Sequence, residues 1–426
     1  MAEIRPFKAL RFTKEAGDIS ELCCPPYDII SDDERRAYLA KNKRNIIRLE
    51  LPREGDDPYA EAARSLKALE ADGSLKLDER DSLYIYGESF TVDGVSYSFK
   101  GIIARVKLEE FSKGIILPHE NTLSKAKQDR FELMNATMCN FSQIYSLFND
   151  DGSIKAIISR LTECEPDVRF TDRDNVEHSL WVVSDPAACA ETVSRFKDKK
   201  LYIADGHHRY ETALNFRDHL RKTGRAKEGD ACDMCMMMLV AMDDPGLVVF
   251  PTHRVVRGLD GFDGEKLLAG CRDSFSVEPA DSLSQAELML KARYDAGDKA
   301  FAVCFPHRFH VLTLRDRAEL DRLCSGCSAA LKGLDVTVLH TLVLERVLGI
   351  DKENMANQLN LTYTRDSSDA VRRVDSGEAN CCFIMNPTRV REISEVAAAG
   401  EKMPQKSTYF YPKLITGLVM NKFGEI

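Results

Sequence analysis

Five consecutive residues carry the side chains that phosphate chemistry uses: Asp205, Gly206, His207, His208 and Arg209. They follow an apolar run that predicts a strand, and they precede an amphipathic pattern that predicts a helix. Free backbone N–H groups and the positive end of the helix dipole meet at such a turn and favour an anion. Basic side chains are normally disfavoured at a helix N-terminus, so three of them there indicate a bound phosphate. Asp205 is a candidate to cap the helix, to ligate Mg²⁺ or to orient a nucleophile, and the alternative is a surface turn with Asp205 as a simple N-cap.

A second string combines a carboxylate, an imidazole, a hydroxyl and cations within a few residues: His119, Glu120, Thr122, Lys127 and Arg130. In a phosphoryl transferase, an acid takes the proton from the attacking hydroxyl and cations hold the transferring group. Glu120 is therefore a candidate general base, with the neighbouring cations as phosphate contacts. The alternative is a solvated charged loop.

Weaker signals concern substrate binding. Asn140 and Ser142 are candidates to bind a small polar substrate, or simply to cap a strand, and His253 ends a predicted strand where it can add a donor to a pocket. The chain has neither a G-x-x-x-x-G-K-[ST] loop nor a G-x-G-x-x-G motif. Any phosphate chemistry is therefore not of the Walker or protein-kinase kind.

Composition limits the class of protein. The chain has 426 residues, 44% of them hydrophobic and 30% charged, and a formal net charge of −9. This acidic balance argues against a nucleic-acid coat, and no apolar stretch is long enough for a membrane span. The opening residues predict no secretory leader, so we expect a cytoplasmic protein. Nothing in the sequence indicates an oligomeric state.

Thirteen cysteines are the odd feature of the composition. An odd number of them, without a leader, predicts free thiols in a reducing compartment. Two C-x-x-C units occur, Cys232/Cys235 and Cys324/Cys327, far apart in the chain. A shared zinc site needs closer spacing, so we favour thiols that pack as small hydrophobic groups.

Hydrophobic patterning places these motifs in a mixed α/β (α+β) protein. Asp93-Gly94 predicts a tight hairpin and Asn45–Leu51 (NIIRLEL) predicts a strand. Changes of pattern predict three parts: an N-terminal α/β segment at residues 1–80, a catalytic core at 81–258 and a C-terminal α/β domain at 259–426.

The motifs, taken in order, resemble the bacterial and archaeal family catalogued as domain of unknown function 1015. The resemblance covers nearly the whole chain, and its motif order is specific. The motifs that carry it are Pro25-Pro26-Tyr27-Asp28, His119-Glu120-Asn121-Thr122, Lys127-Gln128-Asp129-Arg130, Asp205-Gly206-His207-His208-Arg209, Asn386-Pro387-Thr388 and Tyr411-Pro412-Lys413.

This resemblance implies a ParB/sulfiredoxin-like core, a fold that serves three chemistries. Sulfiredoxin-like reductases use a cysteine in the turn, and this chain has His207 there. ParB proteins add a helix-turn-helix domain, which the sequence does not reveal. Free serine kinases have Asp-Gly-His-x-Arg at the phosphate turn and an upstream His-Glu string, and this chain has both.

The resemblance thus implies a kinase that phosphorylates free L-serine, with pyrophosphate as the expected donor, Mg²⁺ as the cofactor and small molecules as its partners. Glu120 would be the base, and Asp205 would assist through Mg²⁺ or by orienting the hydroxyl. The donor phosphates would be held by His119, Thr122, Lys127, Arg130, His207, His208 and Arg209. Alternatives are an ATP- or ADP-dependent serine kinase, a phosphoserine phosphatase, and a ParB-like protein that binds nucleotide and DNA.

Overall fold

Two large β-sheets, one of nine strands and one of six, organise the chain. The structure is a computed structural model, and it describes residues 1–120, 122 and 124–424. The chain divides into two units, the first comprising Met1–Pro118, Thr122–Val248 and Pro412–Ile426 and the second His119–Asn121 and Val249–Tyr411. The mixed α/β class expected from the sequence is confirmed. The three-part division at residues 80 and 258 and the ParB/sulfiredoxin-like core stay predictions.

The nine-stranded sheet of the first unit is mixed. Its longest pair is the hairpin Leu83–Val92 and Val95–Lys107, and positive φ angles at Asp93 (51°) and Gly94 (78°) give the tight turn that the sequence predicted. The strand Met234–Ala241 is buried at all eight positions. It runs antiparallel to Val95–Lys107 on one side and parallel to Ile144–Phe148 on the other. The strand that ends at Asp205 pairs antiparallel with Ile144–Phe148.

Strands and helices are interspersed along the first unit. Its strands are Ile4–Arg5, Leu10–Phe12, Leu75–Leu77, Leu83–Val92, Val95–Lys107, Ile116–Leu117, Cys139–Asn140, Ile144–Phe148, Val168–Thr171, Glu177–Val183, Leu201–Asp205, Met234–Ala241 and Asn421–Lys422, and Val248–Val249 lies at the boundary with the second unit. Its α-helices are Ile19–Leu22, Asp32–Lys41, Ile47–Glu50, Pro58–Ala71, Ser124–Thr137, Ser153–Leu161, Pro186–Phe196 and His207–Lys222.

The strand predicted over Asn45–Leu51 was wrong, because the structure has a short helix at Ile47–Glu50. Asn45 explains the difference. Its side-chain amide donates to the carbonyl oxygens of Glu21 and Cys23, and its Oδ1 accepts from the amide of Ile47, which starts the helical turn. Apolar side chains on every face are compatible with either a buried strand or a buried helix, so periodicity alone could not decide.

The second unit is built on a six-stranded antiparallel sheet. The strands Ala300–Phe305 and Arg308–Leu314 form a hairpin, with His307 in its turn at φ 59°. The strands of the unit are His253–Val256, Phe275–Ala280, Ala300–Phe305, Arg308–Leu314, Leu361–Thr364, Cys381–Met385 and Phe410–Tyr411. Its helices are Gly264–Cys271, Leu283–Ala296, Ala318–Leu323, Ala329–Lys332, Asp335–Leu339, Lys352–Asn357, Ser367–Asp375 and Val390–Ala398, with a π-helical segment at His340–Glu345.

Each unit has its own hydrophobic core. In the first unit, side chains from the sheet pack against the helices that include His207–Lys222, and a separate cluster lies under the N-terminal helices. In the second unit, the core lies between the six-stranded sheet and the helices Leu283–Ala296 and Ser367–Asp375. Among the described residues, no helix has the length and apolar character that a membrane crossing requires.

Candidate active site

The Asp205–Arg209 turn joins a strand to a helix, as the sequence predicted. The strand Leu201–Asp205 shifts register between Ile203 and Asp205, and such bulges re-aim the side chain that follows them. Gly206 has φ 92°, which reverses the chain before the helix His207–Lys222 begins. Because Gly206 is the N-cap and offers no side chain, the predicted N-cap role of Asp205 was wrong.

Asp205 instead accepts hydrogen bonds from two cations. Its Oδ2 accepts from Nη2 of Arg209 at 2.7 Å, and its Oδ1 accepts from Nζ of Lys413. Burial alone would raise the pKa of Asp205, but the charges of Lys413 and Arg209 hold that pKa well below its ordinary value. Asp205 is therefore a carboxylate throughout the physiological pH range, and with two cations the trio has a net positive charge.

Arg209 folds back over the turn. Its Nη1 donates to the carbonyl oxygen of Gln143 at 2.6 Å, while Nη2 holds Asp205. A Cβ atom on Gly206 would lie 2.8 Å from Nε of Arg209, which is shorter than a normal van der Waals contact. Glycine is thus needed at this position for the positive φ and for the passage of the guanidinium group.

His207 and His208 occupy the first turn of the helix. His207 is buried and His208 is half-buried. The first backbone hydrogen bond of this helix is donated by the amide of Tyr210 to the carbonyl oxygen of Gly206, at 3.0 Å. The N-cap residue, Gly206, supplies no side chain to the amides at the helix start, where the helix dipole gives a positive potential. This potential favours an anionic ligand, and phosphate binding at the turn stays a prediction.

Two of the predicted phosphate contacts of the second string are held by one carboxylate. Thr122 Oγ1 donates to Oε2 of Glu211 at 2.6 Å, and Nζ of Lys127 lies 2.7 Å from the same oxygen. Glu211 is on the helix that the Asp205–Arg209 turn begins. A phosphate contact by Lys127 would have to use its other N–H donors. Asn121 lies outside the described residues.

A small cavity of about 30 Å³ gathers four residues that the sequence singled out: Arg130, Asn140, Ser142 and Arg209. Glu50 also lines it, although the sequence analysis missed this residue. Ser142 Oγ donates to Oε1 of Glu50 at 2.8 Å, and Asn140 Oδ1 accepts from Nδ2 of Asn421 at 2.9 Å.

Arg130 is buried and held on several sides. Its Nη1 donates to the carbonyl oxygen of Glu50 at 2.6 Å, its Nε donates to Asp129, and its guanidinium lies 3.9 Å from the ring centre of Tyr27. The desolvation of Glu50 raises its pKa, although Arg130 acts in the opposite direction. This arrangement makes Arg130 a fixed part of the cavity wall, and its predicted phosphate contact stays a prediction.

Glu120 and His119 belong to the second unit. Oε1 of Glu120 accepts from the backbone amide of Lys406 at 3.1 Å, and Nε2 of His119 lies 2.9 Å from Oγ1 of Thr408. The amide of Met403 donates to the carbonyl oxygen of His119 at 2.7 Å. The segment from Met403 to Thr408 therefore fixes the backbone and side chains of both residues.

His253 also belongs to the second unit. Its Nδ1 accepts from the amide of Met385 at 3.1 Å. Desolvation, with the charge of Arg254, lowers the pKa of His253 to about 4, so its imidazole is neutral at pH 7. The described contact is thus structural, and a substrate contact by His253 stays a prediction.

The candidate residues are divided between the units. Thr122, Lys127 and the residues of the cavity and the turn lie in the first unit, whereas His119, Glu120 and His253 lie in the second. Sequence reasoning gave no role to Lys413, although it stands in the Tyr-Pro-Lys motif, and it overlooked Glu50, a lone acid in the apolar run NIIRLEL. A single acid in an otherwise buried run was the signal that could have found Glu50.

The described residues do not form a protein cage for Mg²⁺. Among them, no group of three or more His, Cys, Asp or Glu side chains is placed to hold a metal ion. Asp205 offers one carboxylate, which already holds Lys413 and Arg209. Mg²⁺ in phosphoryl transfer is commonly held by one or two carboxylates together with substrate phosphates. A Mg²⁺ contact by Asp205 would have to replace one of these two cations, and it stays a prediction.

Comparison with known families decides the relationship of the chain. The model of DUF1015, described as a protein of unknown function, matches residues 4–337. The chain belongs to the DUF1015 family. A search among curated proteins gave no match for this DUF1015 protein.

Solved structures show more distant similarities. A conserved hypothetical protein from Pyrococcus furiosus is 15% identical, with a TM-score of 0.37, 76% of this chain covered and 95% of that chain. A free serine kinase variant in complex with AMP is 13% identical, with a TM-score of 0.38 and coverages of 76% and 91%. SbnI from Staphylococcus aureus, truncated at its C-terminus, is 11% identical, with a TM-score of 0.38 and coverages of 74% and 86%. At these identities and TM-scores, none of the three carries an argument about activity.

Proposed function

We propose that this DUF1015 protein transfers a phosphoryl group from pyrophosphate to the hydroxyl of free L-serine. The products are O-phosphoserine and inorganic phosphate, and the reaction can run in either direction. The observation that carries the proposal is the Asp205–Arg209 turn, in which a helix N-terminus capped by glycine stands beside a net positive trio. This is an arrangement that can hold phosphates without a Walker loop.

The turn is assigned to the donor. The helix N-terminus, His207, His208 and Arg209 hold the pyrophosphate and neutralise the charge that develops on the transferring group. Asp205 is ionised because of Lys413 and Arg209, so it is a poor proton acceptor and acts as the anchor that orients Arg209. Thr122, Lys127 and Arg130 are assigned supporting contacts with the donor, as is His119.

Glu120 is assigned the base. Its Oε1 accepts a hydrogen bond from the backbone amide of Lys406, which helps to orient the carboxylate. In the transfer, Glu120 takes the proton of the serine hydroxyl while the hydroxyl oxygen attacks phosphorus and phosphate leaves. Asn140, Ser142 and His253 are assigned to the binding of serine.

Mg²⁺ is the expected cofactor, and Asp205 is the residue proposed to contact it. When bound, the ion would supply neutralisation of the phosphate oxygens. The steps assigned to the chain, which are binding of the donor by the turn and proton transfer to Glu120, require no dedicated metal cage.

A donor-by-acceptor screen tests this proposal on the full chain. Serine is incubated with pyrophosphate, ATP or ADP in the presence of Mg²⁺, and phosphoserine is followed by ³¹P NMR. We expect serine-dependent phosphoserine formation from pyrophosphate. If none of the three donors gives phosphoserine, the kinase assignment is wrong.

Other outcomes of this screen, together with a DNA-binding assay, separate the remaining alternatives. Product only from ATP or ADP would leave a serine kinase with a different donor. Phosphate release from phosphoserine without an acceptor phosphate would indicate a phosphatase. Salt-dependent DNA binding, together with no transfer, would favour a ParB-like protein.

A further inference from the structure

Two half-buried thiols, Cys324 and Cys327, line a cavity of about 290 Å³ in the second unit. All other cysteines except the exposed Cys164 are buried. Most of the remaining cavity wall comes from residues beyond 337, where the match to the family ends. The proposed phosphoryl transfer uses neither thiol.

The backbone places the two thiols in disulfide-forming range. The amide of Cys327 donates to the carbonyl oxygen of Cys324 at 2.9 Å, which closes a turn of four residues. A β-turn keeps its end Cα atoms within about 7 Å, and a disulfide spans Cα separations of roughly 4.4–6.8 Å. The pair therefore needs little backbone movement to be oxidised.

The surroundings give the two thiols different roles. Burial raises the pKa of Cys327, and so do the charge of Cys324 and the hydrogen bond between the two side chains. Cys327 is thus the thiol that retains its proton, and it donates to the sulfur of Cys324. Oγ1 of Thr341 lies 3.6 Å from the same sulfur. The raised pKa of Cys327 leaves Cys324 as the attacking group of the pair.

Charges of both signs surround the pair. Lys352, Lys402 and Glu345 line the cavity. Glu401 and Lys352 act on Cys327 with opposite sign. These charges select neither an anionic nor a cationic reagent.

We propose that Cys324 and Cys327 form a redox-active dithiol that exchanges with small disulfides. In the first step, the thiolate of Cys324 attacks one sulfur of the reagent, its S–S bond breaks, and one thiol leaves with the proton of Cys324. In the second step, the sulfur of Cys327 attacks Cys324, and the second thiol leaves with the proton of Cys327. The protein loses two hydrogen atoms, and with them two electrons, and the reagent disulfide becomes two thiols.

Mass spectrometry of the reduced full-length protein tests this proposal with oxidised glutathione as the probe. Trypsin releases Leu323–Lys332, which contains both cysteines and no others. We expect this peptide to lose two hydrogen atoms. The Cys327→Ser variant should instead retain one glutathione on Cys324, and the Cys324→Ser variant should react about tenfold more slowly at Cys327. Cys164→Ser is the control and should leave the pair unchanged.

Two results would overturn the dithiol assignment. In the first, Leu323–Lys332 keeps both free thiols while the exposed Cys164 reacts. In the second, the purified protein holds stoichiometric zinc that Cys327→Ser releases, which would make the pair a metal site. Neither readout depends on phosphoryl transfer, so failure of the dithiol assignment is distinguishable from failure of the proposed function.

Discussion

Two half-buried aspartates, one in each unit, respond to nearby cations in opposite ways. Asp205 in the first unit accepts from Arg209 and Lys413, and its pKa is lowered. Asp335 in the second unit lies 3.9 Å from Lys299, and burial raises its pKa to about 7. Both side chains are partly removed from water, so burial alone does not explain the difference.

The ratio of cations to acids explains it: Asp205 is one acid with two cations, whereas Asp335 and Glu392 are two acids that share Lys299 and Arg389. Lys299 lies closer to Glu392, at 3.0 Å, than to Asp335, so its charge is shared between two acids. Arg209 and Lys413 both act on a single acid, Asp205. The region around Asp205 therefore retains positive charge for an anionic ligand, whereas the region around Asp335 neutralises itself. This contrast favours Asp205, and not Asp335, for the proposed phosphate site.

Removal of Arg209 should give the largest effect. Arg209→Met takes away one donor to Asp205 and the proposed donor contact, so we expect kcat/KM for the phosphoryl donor to fall by about 10²–10³-fold. Steady-state kinetics of phosphoserine formation measures this change. Arg221→Met is the matched control on the same helix, where Arg221 pairs with Asp233, and it should change kcat/KM little. Equal losses of kcat/KM in the two variants would show that Arg209 has no special role in donor binding.

Removal of Lys413 should mainly cost stability. Lys413→Met leaves Asp205 with one of its two cations, and breaking a buried pair costs about 3 kcal/mol of unfolding free energy. Urea denaturation measures this change. Lys422→Met, which breaks the more exposed pair with Glu70, should cost less.

A double variant of Asp205 and Lys413 tests whether these two side chains stabilise the fold through their ion pair. Asp205→Asn combined with Lys413→Met should be more stable than the sum of the single changes predicts. Additive effects would show that the two side chains are not coupled.

Asp335→Asn should give a pH-dependent effect of intermediate size. The folded pKa of Asp335, about 7, is above the unfolded value of about 4, so the wild type loses stability as pH rises through 7. The variant lacks this titration. Between pH 5 and 8, its unfolding free energy should therefore rise relative to wild type by about 2 kcal/mol. The exposed Asp273→Asn control should show no such trend, and a flat difference for Asp335→Asn would refute the raised pKa.

Lys127→Gln should give the smallest effect on stability. Its ion pair with Glu211 is partly exposed, and such pairs contribute less than about 1 kcal/mol. If Lys127 also contacts the donor, KM for pyrophosphate should rise a few-fold while kcat is kept. A KM equal to that of wild type would restrict Lys127 to its pairing with Glu211.

The local secondary structure around Asp205 was largely predictable from the sequence. The strand, the turn at Gly206 and the helix from His207 follow from adjacent residues, and the structure confirms all three. The predicted N-cap role of Asp205 was wrong because its side chain binds Arg209 and the distant Lys413 instead. Lys413 is 208 positions away in the chain, and no local pattern indicates that pairing.

Buried residues were harder to interpret. The run NIIRLEL has the composition of a strand, but the hydrogen bonds of Asn45 with Glu21, Cys23 and Ile47 select a helix. Tertiary contacts overrode the β propensity of the apolar residues. Glu50 consequently lies at the cavity with Ser142, an arrangement that depends on packing and not on spacing in the sequence.

The most direct test of the central claim is phosphoryl transfer from radiolabelled pyrophosphate to serine by wild type and Glu120→Gln, with Glu353→Gln as an exposed control. We predict labelled phosphoserine with wild type and the control, and a rate about 10²–10⁴-fold lower with Glu120→Gln. Pyrophosphate binding should remain the same in all three. Full activity of Glu120→Gln would contradict the assignment of the base, and no phosphoserine from wild type would contradict the account as a whole.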